Sequence, residues 1–353
     1  MRFLPTDEQR SFVRSLDALL AAADTPAAAR AWAAGDSSPG RALWSRLAGS
    51  GVFALAVPEA YEGAGALSLE LVLAFVELGR HAVPGPLVET VAGAVLVAAL
   101  DEPVLGKRLL PAIASGDLLV SLHAPGAGPY ALDADAADRL LVVDAGDPTV
   151  LRLAAGHGPV HASVDPVRRL AVPGAGGEVV SAGPAVATAA RRAADWARLA
   201  TAAQALGVGL ALLERTVAYA GQRTQFGAPI GSFQAVKHRL ADTLIALEFA
   251  RPLVHGAALT LASADVAAAK TAAGEAAYAA ARTALQLHGA VGYTDELDLS
   301  LWLRKARPLR DAWGTPSQCR AAVLEGSAHA GSAGAGSAGG GPGGDRSVRF
   351  SRL

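Results

Sequence analysis

The amino-acid sequence predicts a mainly α-helical protein with a small β domain in its middle. Long segments with helical periodicity, rich in Ala and Leu, occupy residues 1–115 and 185–325. Between them, residues 116–184 consist of short β-branched or leucine runs separated by Gly, Pro and Asp turns. We therefore expect an N-terminal helical domain, a reduced middle domain that resembles a β-barrel, and a C-terminal four-helix bundle. A chain of 353 residues is long enough for about two or three such units.

The N-terminal domain opens with a clear helix start. In LPTDEQRSFVRSLDALLAAA (4–23), Thr6 can cap the exposed backbone N–H groups, and Asp7 and Glu8 favour the positive end of the helix. Further apolar-periodic segments follow, and the Pro- and Gly-containing stretches VPEAYEGAGALS and HAVPGPLVE separate them as loops. We predict that residues 1–115 are helical throughout.

The remaining elements are predicted from changes in amino-acid composition and periodicity along the chain. DLLVSL, RLLVVDAG, VRRLAVPG and GEVVSAG are the strand candidates of the middle domain. From Ala185 a helical pattern with one polar and one apolar face returns, which predicts four bundle helices before residue 325. Residues 326–353, rich in Gly, Ala and Ser, have little to bury and are predicted to be disordered. The basic end, Arg346 to Arg352, is interpreted as a solvated terminus, with a docking peptide as the alternative.

Composition excludes several classes of function. A net charge of −1 and a pI near 6.7 provide no field that attracts nucleic acid or an anionic bilayer. The single Cys319 cannot form an internal disulfide, and MRFLPTDEQR lacks the apolar region of a signal peptide. The longest apolar run, Val91 to Leu100, is half the ~20 residues of a membrane span. We expect a cytoplasmic protein without a membrane span, whose partners are small molecules or proteins and not nucleic acid.

The segment RTQFGAPIGSFQAVKHRLAD (223–242) in the bundle has residues suited to a nucleotide. The guanidinium of Arg223 offers a fixed fork of donors to a pyrophosphate, and Phe226 can cover an adenine or flavin edge. Gly227 is interpreted as ending the helix so that Pro229 turns the chain. Taken alone, a surface arginine and a core phenylalanine explain the same residues, and these alternatives stay open.

A second segment, QLHGAVGYTDELDLSLWLRKAR (286–307), supports the same interpretation. Gln286 and Gly289 are three residues apart and lie on one helix face, so an amide and a bare stretch of backbone point the same way. A cofactor phosphate or ribose can approach closely at such a place.

These two motifs, with the domain order, resemble the acyl-CoA dehydrogenase family of flavoproteins over about residues 6–325. GVFALAVPEAYEGAGAL, VELGRHAVPGPL and VDPVRRLAVP also resemble the corresponding family segments. The resemblance implies FAD, with the flavin ring in one chain and the ADP end on its neighbour. It departs at Ala290, where the family usually has a second glycine. The positions that the resemblance assigns to cofactor binding are Arg223, Gln225, Phe226, Gln234, Gln286, Gly289 and Thr315.

The resemblance also exposes a missing base. Family members remove the α-proton of an acyl-CoA thioester with a glutamate. In most members this glutamate immediately precedes the Gly-Thr of the segment WGTPSQ, where this chain has Trp313, and in a subset it aligns with Ala197. An indole N–H can only donate, so no catalytic residue is assigned. Asp311 and Asp195 are the acids considered as substitutes, although helical geometry turns each away from its neighbouring base position.

The loop against the flavin ring departs from the family as well. Where the family reads Thr-Glu-Pro-Gly-Ala-Gly-Ser-Asp, this chain reads HAPGAGPY (123–130). His123 and Ala124 replace Thr and Glu, and Pro129, which has no N–H to donate, replaces Ser. The missing base and the altered loop both affect the places where the family binds the flavin ring and removes the proton. The residues that the resemblance assigns to the ADP end of FAD are all present.

The chain therefore resembles the base-lacking subunit of actinobacterial heteromeric acyl-CoA dehydrogenases of the steroid type. We expect it to supply the ADP-side contacts to a homologous catalytic subunit, in an α2β2 assembly that dehydrogenates an acyl-CoA or carrier-bound thioester. Trp313 then fills the vacated space. Two alternatives stay open: a self-sufficient enzyme with an unusual base or a non-oxidative reaction, and a non-catalytic scaffold. A metal site is not expected, because His157 and His161 lie in Gly-rich turn sequence.

Overall fold

The computed structural model describes residues 4–144 and 146–335. Its N-terminal part is helical, as predicted. Thr6 and Gln9 form a reciprocal capping box at the start of the first helix: the Gln9 backbone N–H donates to Thr6 Oγ1 at 3.3 Å, and the Thr6 N–H donates to Gln9 Oε1 at 2.8 Å. The helices of this part are α1 (Asp7–Ala21), α2 (Thr25–Ala33), α3 (Ser38–Gly49), α4 (Ser68–Arg80), α5 (Leu87–Ala99) and α6 (Pro103–Ala114).

The middle part contains two separate small sheets. Their strands are β1 (Val120–His123), β2 (Ala131–Leu132), β3 (Arg139–Val143), β4 (Val150–Ala154), β5 (His157–His161), β6 (Leu170–Pro173) and β7 (Gly177–Ala182). One sheet has the strand order β1-β3-β4-β7 and the other β2-β6-β5; β1 and β3 are parallel, and the remaining pairs are antiparallel. The predicted fold class, mainly α with a small β domain, is confirmed.

The C-terminal part has five α-helices in its described residues, where the sequence predicted four. The last two helices are separate, because Trp313 and Gly314 between them adopt φ values of 57° and 133°, which no α-helix can contain. The elements are α7 (Pro184–Gln222), β8 (Thr224–Gln225), β9 (Ala228–Pro229), α8 (Gln234–Thr260), α9 (Ser263–His288), α10 (Leu299–Asp311) and α11 (Pro316–Ala335).

The start of the predicted disordered tail also needs correction. Helix α11 continues past Glu325 to Ala335, so its end lies inside the segment 326–353. Alanine is the strongest helix former, and the alanines between the glycines of this stretch let the last turns continue. Residues 336–353, with the basic stretch from Arg346 to Arg352, lie outside the described residues.

Helix α7 forms the centre of the fold. It packs against α4 so closely that a Cβ added to Gly79 would lie 2.1 Å from the carbonyl oxygen of Gln204, and one added to Gly207 would lie 1.9 Å from that of Val76. Only glycine permits this backbone approach. α7 is also long and apolar enough to span a membrane, but 83% of its most apolar window is buried within the fold. Its apolarity is therefore explained by its central position in the core.

Candidate active site and cofactor surface

The segment predicted to contact the ADP end of FAD forms an exposed hairpin. Helix α7 ends at Gln222, and β8 and β9 then pair around a two-residue turn. Its central residues, Phe226 and Gly227, have φ values of 54° and 77°, as a type I′ turn requires. Gly227 therefore shapes the hairpin and does not end the helix, which corrects the sequence interpretation. The turn holds the ring of Phe226 in solvent, 93% exposed.

Contacts between the ends of α7 and α9 place the second motif beside this hairpin. Tyr219 stacks on His288 with ring centroids 4.1 Å apart, and its hydroxyl donates to the His288 carbonyl at 3.5 Å. Tyr219 is one helical turn before Arg223, whose N–H donates to the Tyr219 carbonyl at 2.8 Å. The structure thus brings Arg223 and the α9 end, with Gln286 and Gly289, to the same end of the bundle.

The predicted ADP-side residues at this end are available for contact. Gln234 begins α8 and, like Gln286, is exposed. Gly289 follows α9 with φ 61° and ψ −137°, a conformation that favours glycine, and a Cβ added there would meet no atom within 4 Å. The sequence had predicted a close backbone approach at Gly289, and the open space there permits one. The other exposed members of the set are Arg223, Gln225 and Phe226.

Thr315 lies apart from this group. Its hydroxyl caps α11, because the Gln318 N–H donates to Thr315 Oγ1 at 3.4 Å while the Thr315 N–H donates to Gln318 Oε1 at 2.9 Å. The preceding Gly314 carbonyl accepts from Lys270 of α9 at 3.5 Å. Lys270 and Gln286 are about 24 Å apart along α9 at 1.5 Å per residue. The predicted cofactor residues therefore divide between the two ends of this helix.

Both positions at which the resemblance predicts the base are closed. Trp313 is 2% exposed and Ala197 is 0% exposed. The indole Nε1–H of Trp313 donates to Glu89 Oε1 at 3.0 Å, and the Trp313 carbonyl accepts from Arg198 Nε at 2.9 Å. Because Trp313 has a left-handed backbone, these contacts hold a conformation that is costly for a bulky side chain.

Sequence analysis missed Glu89, the partner of this tryptophan. Glu89 lies in the apolar helix α5 and is 4% exposed. Burial raises the pKa of its carboxyl group, although the charge of Arg168 and the hydrogen bond from Trp313 act in the opposite direction. Its second oxygen, Oε2, has no hydrogen-bond partner among the described residues. A carboxyl group amid LVETVAGAVLVAA was the available signal, because such a group is rarely buried without a partner.

The space around Glu89 is too small for a substrate. A cavity of about 20 Å³ is lined by Glu89, Asp133, Arg168, Gln204 and Lys305, among others. This volume holds about one water molecule and no acyl chain. Asp133 accepts from Trp32 Nε1 at 3.1 Å, and burial raises its pKa to about 7. The region is a buried polar cluster, and Glu89 cannot reach a thioester there.

The two substitute acids are also unsuited to proton abstraction. Both carboxylate oxygens of Asp195 are occupied, because Oδ1 accepts from Arg198 Nη1 at 2.9 Å and Oδ2 accepts from Ser263 Oγ at 2.6 Å. Asp311 is the last residue of α10 and is exposed, whereas Trp313 is buried. Neither carboxylate shares the environment of the residue that it would replace.

A buried lysine stabilises the break that carries Trp313. Lys270 Nζ donates to the Arg310 carbonyl at 2.8 Å, at the C-terminal end of α10, where a positive charge is favourable. Burial lowers the pKa of Lys270 to about 8. Arg198 and Lys270 thus donate to the successive carbonyls of Trp313 and Gly314.

The loop expected to face a flavin ring has turned its donors inward. His123 Nε2 donates to the Gly128 carbonyl at 2.9 Å, and burial lowers the pKa of this imidazole. Ala124 is buried, and Pro129 lacks an N–H. The His123 side chain and Pro129 therefore do not fit the role of flavin-ring donors, because the first already donates within the loop and the second has no N–H. A cleft of about 440 Å³ remains beside the loop, lined by Gly126, Asp195, Arg198 and others.

Two family models match this chain, one on each side of the β part. They are "Acyl-CoA dehydrogenase, N-terminal domain" over residues 6–117 and "Acyl-CoA dehydrogenase, C-terminal domain" over residues 187–326. Together they cover more than half of the sequence. The chain belongs to the acyl-CoA dehydrogenase family. The resemblance predicted from the motifs is confirmed.

Similar proteins of known name or structure agree with this assignment. The acyl-CoA dehydrogenase IpdE2 of Mycobacterium tuberculosis is 33% identical over 304 residues, which are 86% of this chain and 92% of that protein. The Tcur3481-Tcur3483 steroid ACAD superposes with a TM-score of 0.80 at 25% identity, covering 92% of this chain and 99% of that one. For the ChsE4-ChsE5 complex from Mycobacterium tuberculosis, the TM-score is 0.78 at 25% identity, with 93% and 99% covered.

A structure described as PigA with FAD and proline shows the same fold with the cofactor present. It superposes with a TM-score of 0.80 at 20% identity and covers 93% of this chain and 99% of that one. FAD is thus the cofactor of this acyl-CoA dehydrogenase flavoprotein family, as the resemblance implied.

Proposed function

We propose that this chain is the non-catalytic subunit of a heteromeric acyl-CoA dehydrogenase. One observation carries the proposal: the position of the family base is filled by Trp313, whose N–H is bound to buried Glu89. The chain then supplies the ADP-side contacts, through Arg223, Gln225, Phe226, Gln234, Gln286 and Gly289, to the FAD of a homologous catalytic subunit. FAD accepts the hydride when bound, and the partner's glutamate removes the α-proton of an acyl-CoA or carrier-bound thioester.

The surface beside these residues supports a protein partner. On α8, Ile245, Phe249 and Leu253 follow one another at helical spacing, with exposures of 52%, 73% and 47%. Contiguous exposed apolar side chains of this kind mark interaction sites on many proteins. Phe226, in the hairpin before α8, is a further exposed apolar side chain and packs edge-on against Phe233. An α2β2 assembly in the cytoplasm is the form that we expect, and the paired names of two similar structures are consistent with it.

The proposal is tested by co-expression with a homologue that carries glutamate before the Gly-Thr motif. The purified complex should show bound FAD and should dehydrogenate an acyl-CoA. Arg223→Ala in this chain should lower the FAD content of the complex, whereas Arg14→Ala, at an exposed arginine of α1, should leave it unchanged. A stable complex without flavin would overturn the proposal.

A self-sufficient enzyme is the second candidate, and the 440 Å³ cleft beside the loop of Gly126 favours it, because a thioester chain could enter there. Its difficulty is the lack of a suitable base at that cleft, where Asp195 is already bound by Arg198 and Ser263. Bleaching of bound flavin by an acyl-CoA in the isolated chain would favour this candidate. A pure scaffold, the third possibility raised by the sequence, predicts no flavin with any partner.

A further inference from the structure

A cleft of about 460 Å³ lies between the end of α5, the first turns of α7 and the loop of residues 56–66. Its volume falls in the usual range for small-molecule sites of about 300–1,000 Å³. Most of its wall is apolar and consists of Ala56, Pro58, Ala66, Val95, Ala98 and Ala99. Its polar side chains are Arg192 and Trp196 of α7 and Glu59 of the loop. An apolar wall with a few polar groups is typical of a small-molecule site.

This cleft is separate from the cleft beside the loop of Gly126. Arg191 and Asp195 of α7 line that other cleft, whereas Arg192 and Trp196, each one residue later, line this one. One residue corresponds to a rotation of about 100° around a helix, so the two clefts lie on different faces of α7. Among the described residues they share no lining residue. A ligand in this cleft therefore does not occupy the place considered above for a thioester.

The loop that forms one wall is fixed by its own backbone. The Gly65 N–H donates to the Val57 carbonyl at 2.9 Å, and the Ala64 N–H donates to the Ala54 carbonyl at 3.0 Å. At Gly63, an added Cβ would lie 1.9 Å from the Val57 carbonyl oxygen, so the loop folds tightly onto its own start. The wall is therefore formed before any ligand binds, which lowers the entropy cost of binding.

Trp196 provides a buried donor without an acceptor in the chain. The residue is 2% exposed, and its indole N–H forms no hydrogen bond with any described residue. Trp44 Nε1 also has no partner but is enclosed by protein, whereas Trp196 Nε1 retains access to the cleft. Because a buried N–H is costly without an acceptor, a ligand that brings an acceptor into the cleft is favoured.

The charges of the cleft favour a single negative charge. Within residues 4–144 and 146–326, the exposed guanidinium of Arg192 has no carboxylate within 4.0 Å and no hydrogen bond. By contrast, the adjacent Arg191 donates to Thr188 Oγ1 at 3.0 Å. Arg192 and Trp196 are four residues apart and share one helix face, so one carboxylate can accept from both. Glu59 lines the same cleft and disfavours a second negative charge.

We propose that this cleft binds a monocarboxylate with an apolar chain. The carboxylate accepts from the guanidinium of Arg192 and the N–H of Trp196, and the apolar chain packs against Val95, Ala98 and Ala99 of α5. The ligand is bound and not transformed. The inference is independent of the proposed function, because it involves neither FAD nor a partner subunit.

The test is calorimetric titration of the purified full chain with octanoate, 1-octanol and acetate. Octanoate should bind with saturation and more tightly than the alcohol, which lacks the charge, or acetate, which lacks the chain. Arg192→Gln should weaken octanoate binding by about tenfold, because it removes a charge-assisted contact. Trp196→Phe keeps a ring but not the N–H and should weaken binding by about fivefold.

Two further variants test the sign and the place of the charge effect. Glu59→Gln should strengthen octanoate binding by about threefold, because it removes a repelling charge at an exposed position. Arg191→Gln is the matched control one residue away and should leave the affinity unchanged. Circular dichroism verifies that each variant is folded. If Trp196→Phe is not folded, the variants at the exposed Arg192 and Glu59 still decide the result.

Several outcomes would overturn the inference. Absence of saturable octanoate binding at millimolar concentration, or unchanged affinity in Arg192→Gln, defeats the site. Equal affinities for octanoate and 1-octanol defeat its carboxylate part, and equal affinities for octanoate and acetate defeat its apolar part. Because these titrations use the isolated chain without flavin, their failure leaves the proposed function standing, and a heteromer without FAD leaves this site standing.

Discussion

The two ends of helix α9 differ in how their polar groups are satisfied. Near Lys270, the Trp313 segment is buried, and its indole and carbonyl groups bond to Glu89, Arg198 and Lys270 within the chain. Near Gln286, the polar residues are exposed, and Arg239 and Arg282 have no counter-charge among the described residues. One end is therefore complete within the chain, while the other offers groups to a ligand or partner.

The parts of the chain that match the family models and the position predicted for the base therefore differ in what they retain. The family models match the two helical parts, whereas the segment of Trp313, where the resemblance places the base, is filled and internally bonded. Trp313 is more than an apolar filler, because its N–H also partners a carboxyl group that would otherwise be buried alone.

The largest effect is expected from emptying the closed end with Trp313→Ala. Removing a buried tryptophan costs about 3–5 kcal/mol, and leaving buried Glu89 without its donor adds about 1–3 kcal/mol. We expect the free energy of unfolding in urea to fall by about 5 kcal/mol. Trp313→Phe keeps most of the ring and should lose less. A loss below about 1 kcal/mol for the alanine variant would show that this end is not tightly packed.

The second-largest effect is expected from the ionisation of Asp133, which makes the free energy of unfolding depend on pH. Its pKa is raised from 3.8 to about 7, so the folded state keeps a proton that the unfolded state has lost. The stabilising effect of the protonated carboxyl is complete below the unfolded pKa and is lost as pH rises towards 7. A shift of about three units corresponds to about 4 kcal/mol.

The variant Asp133→Asn tests whether ionisation of Asp133 lowers the free energy of unfolding as the pH rises. The amide keeps an oxygen that accepts from Trp32 and the Arg169 N–H but does not ionise. The free energy of unfolding, measured at pH 4.5 and pH 7.5, should decline less in the variant than in the wild type. Burial also raises the pKa of Glu77 to about 7. Ionisation of Glu77 therefore lowers the free energy of unfolding over the same pH range in both proteins, so the variant still shows part of the decline. Identical declines would contradict an uncharged Asp133.

The smallest effect on stability is expected at the open end, from Phe226→Ala. The ring is 93% exposed, so the free energy of unfolding of the isolated chain should change by less than about 0.5 kcal/mol. If this surface meets a partner, the same variant should weaken association with the catalytic homologue, as measured by analytical ultracentrifugation. Unchanged association would remove Phe226 from the interface.

Some of these features follow from local sequence and others require tertiary contacts. The fold class, the capping box of Thr6 and the absence of a base at position 313 are local, because periodicity, residue type and motif position determine them. The contact between Trp313 and Glu89 joins residues 224 positions apart, so the local periodicity of the sequence cannot predict it. The meeting of Arg239 with Arg282 likewise depends on how α8 packs against α9.

Two corrections have a common cause in positive φ values. Phe226 and Gly227 form a hairpin turn where a helix end was expected, and Trp313 with Gly314 separates α10 from α11, so that the described bundle has five helices where four were predicted. Phenylalanine and tryptophan rarely adopt this backbone region, so residue type gives no warning of it. Long-range contacts fix the conformation at Trp313, where Glu89 and Arg198 hold the residue. Backbone strain of this kind can be recognised only in the folded chain.

The most direct measurement compares acyl-CoA turnover by the purified chain with turnover by its complex with a glutamate-bearing homologue. Our account predicts no turnover by the chain alone and FAD-dependent dehydrogenation by the complex, with about one flavin for each pair of unlike subunits. Dehydrogenation of an acyl-CoA by the chain alone, in a preparation free of any second protein, would contradict it.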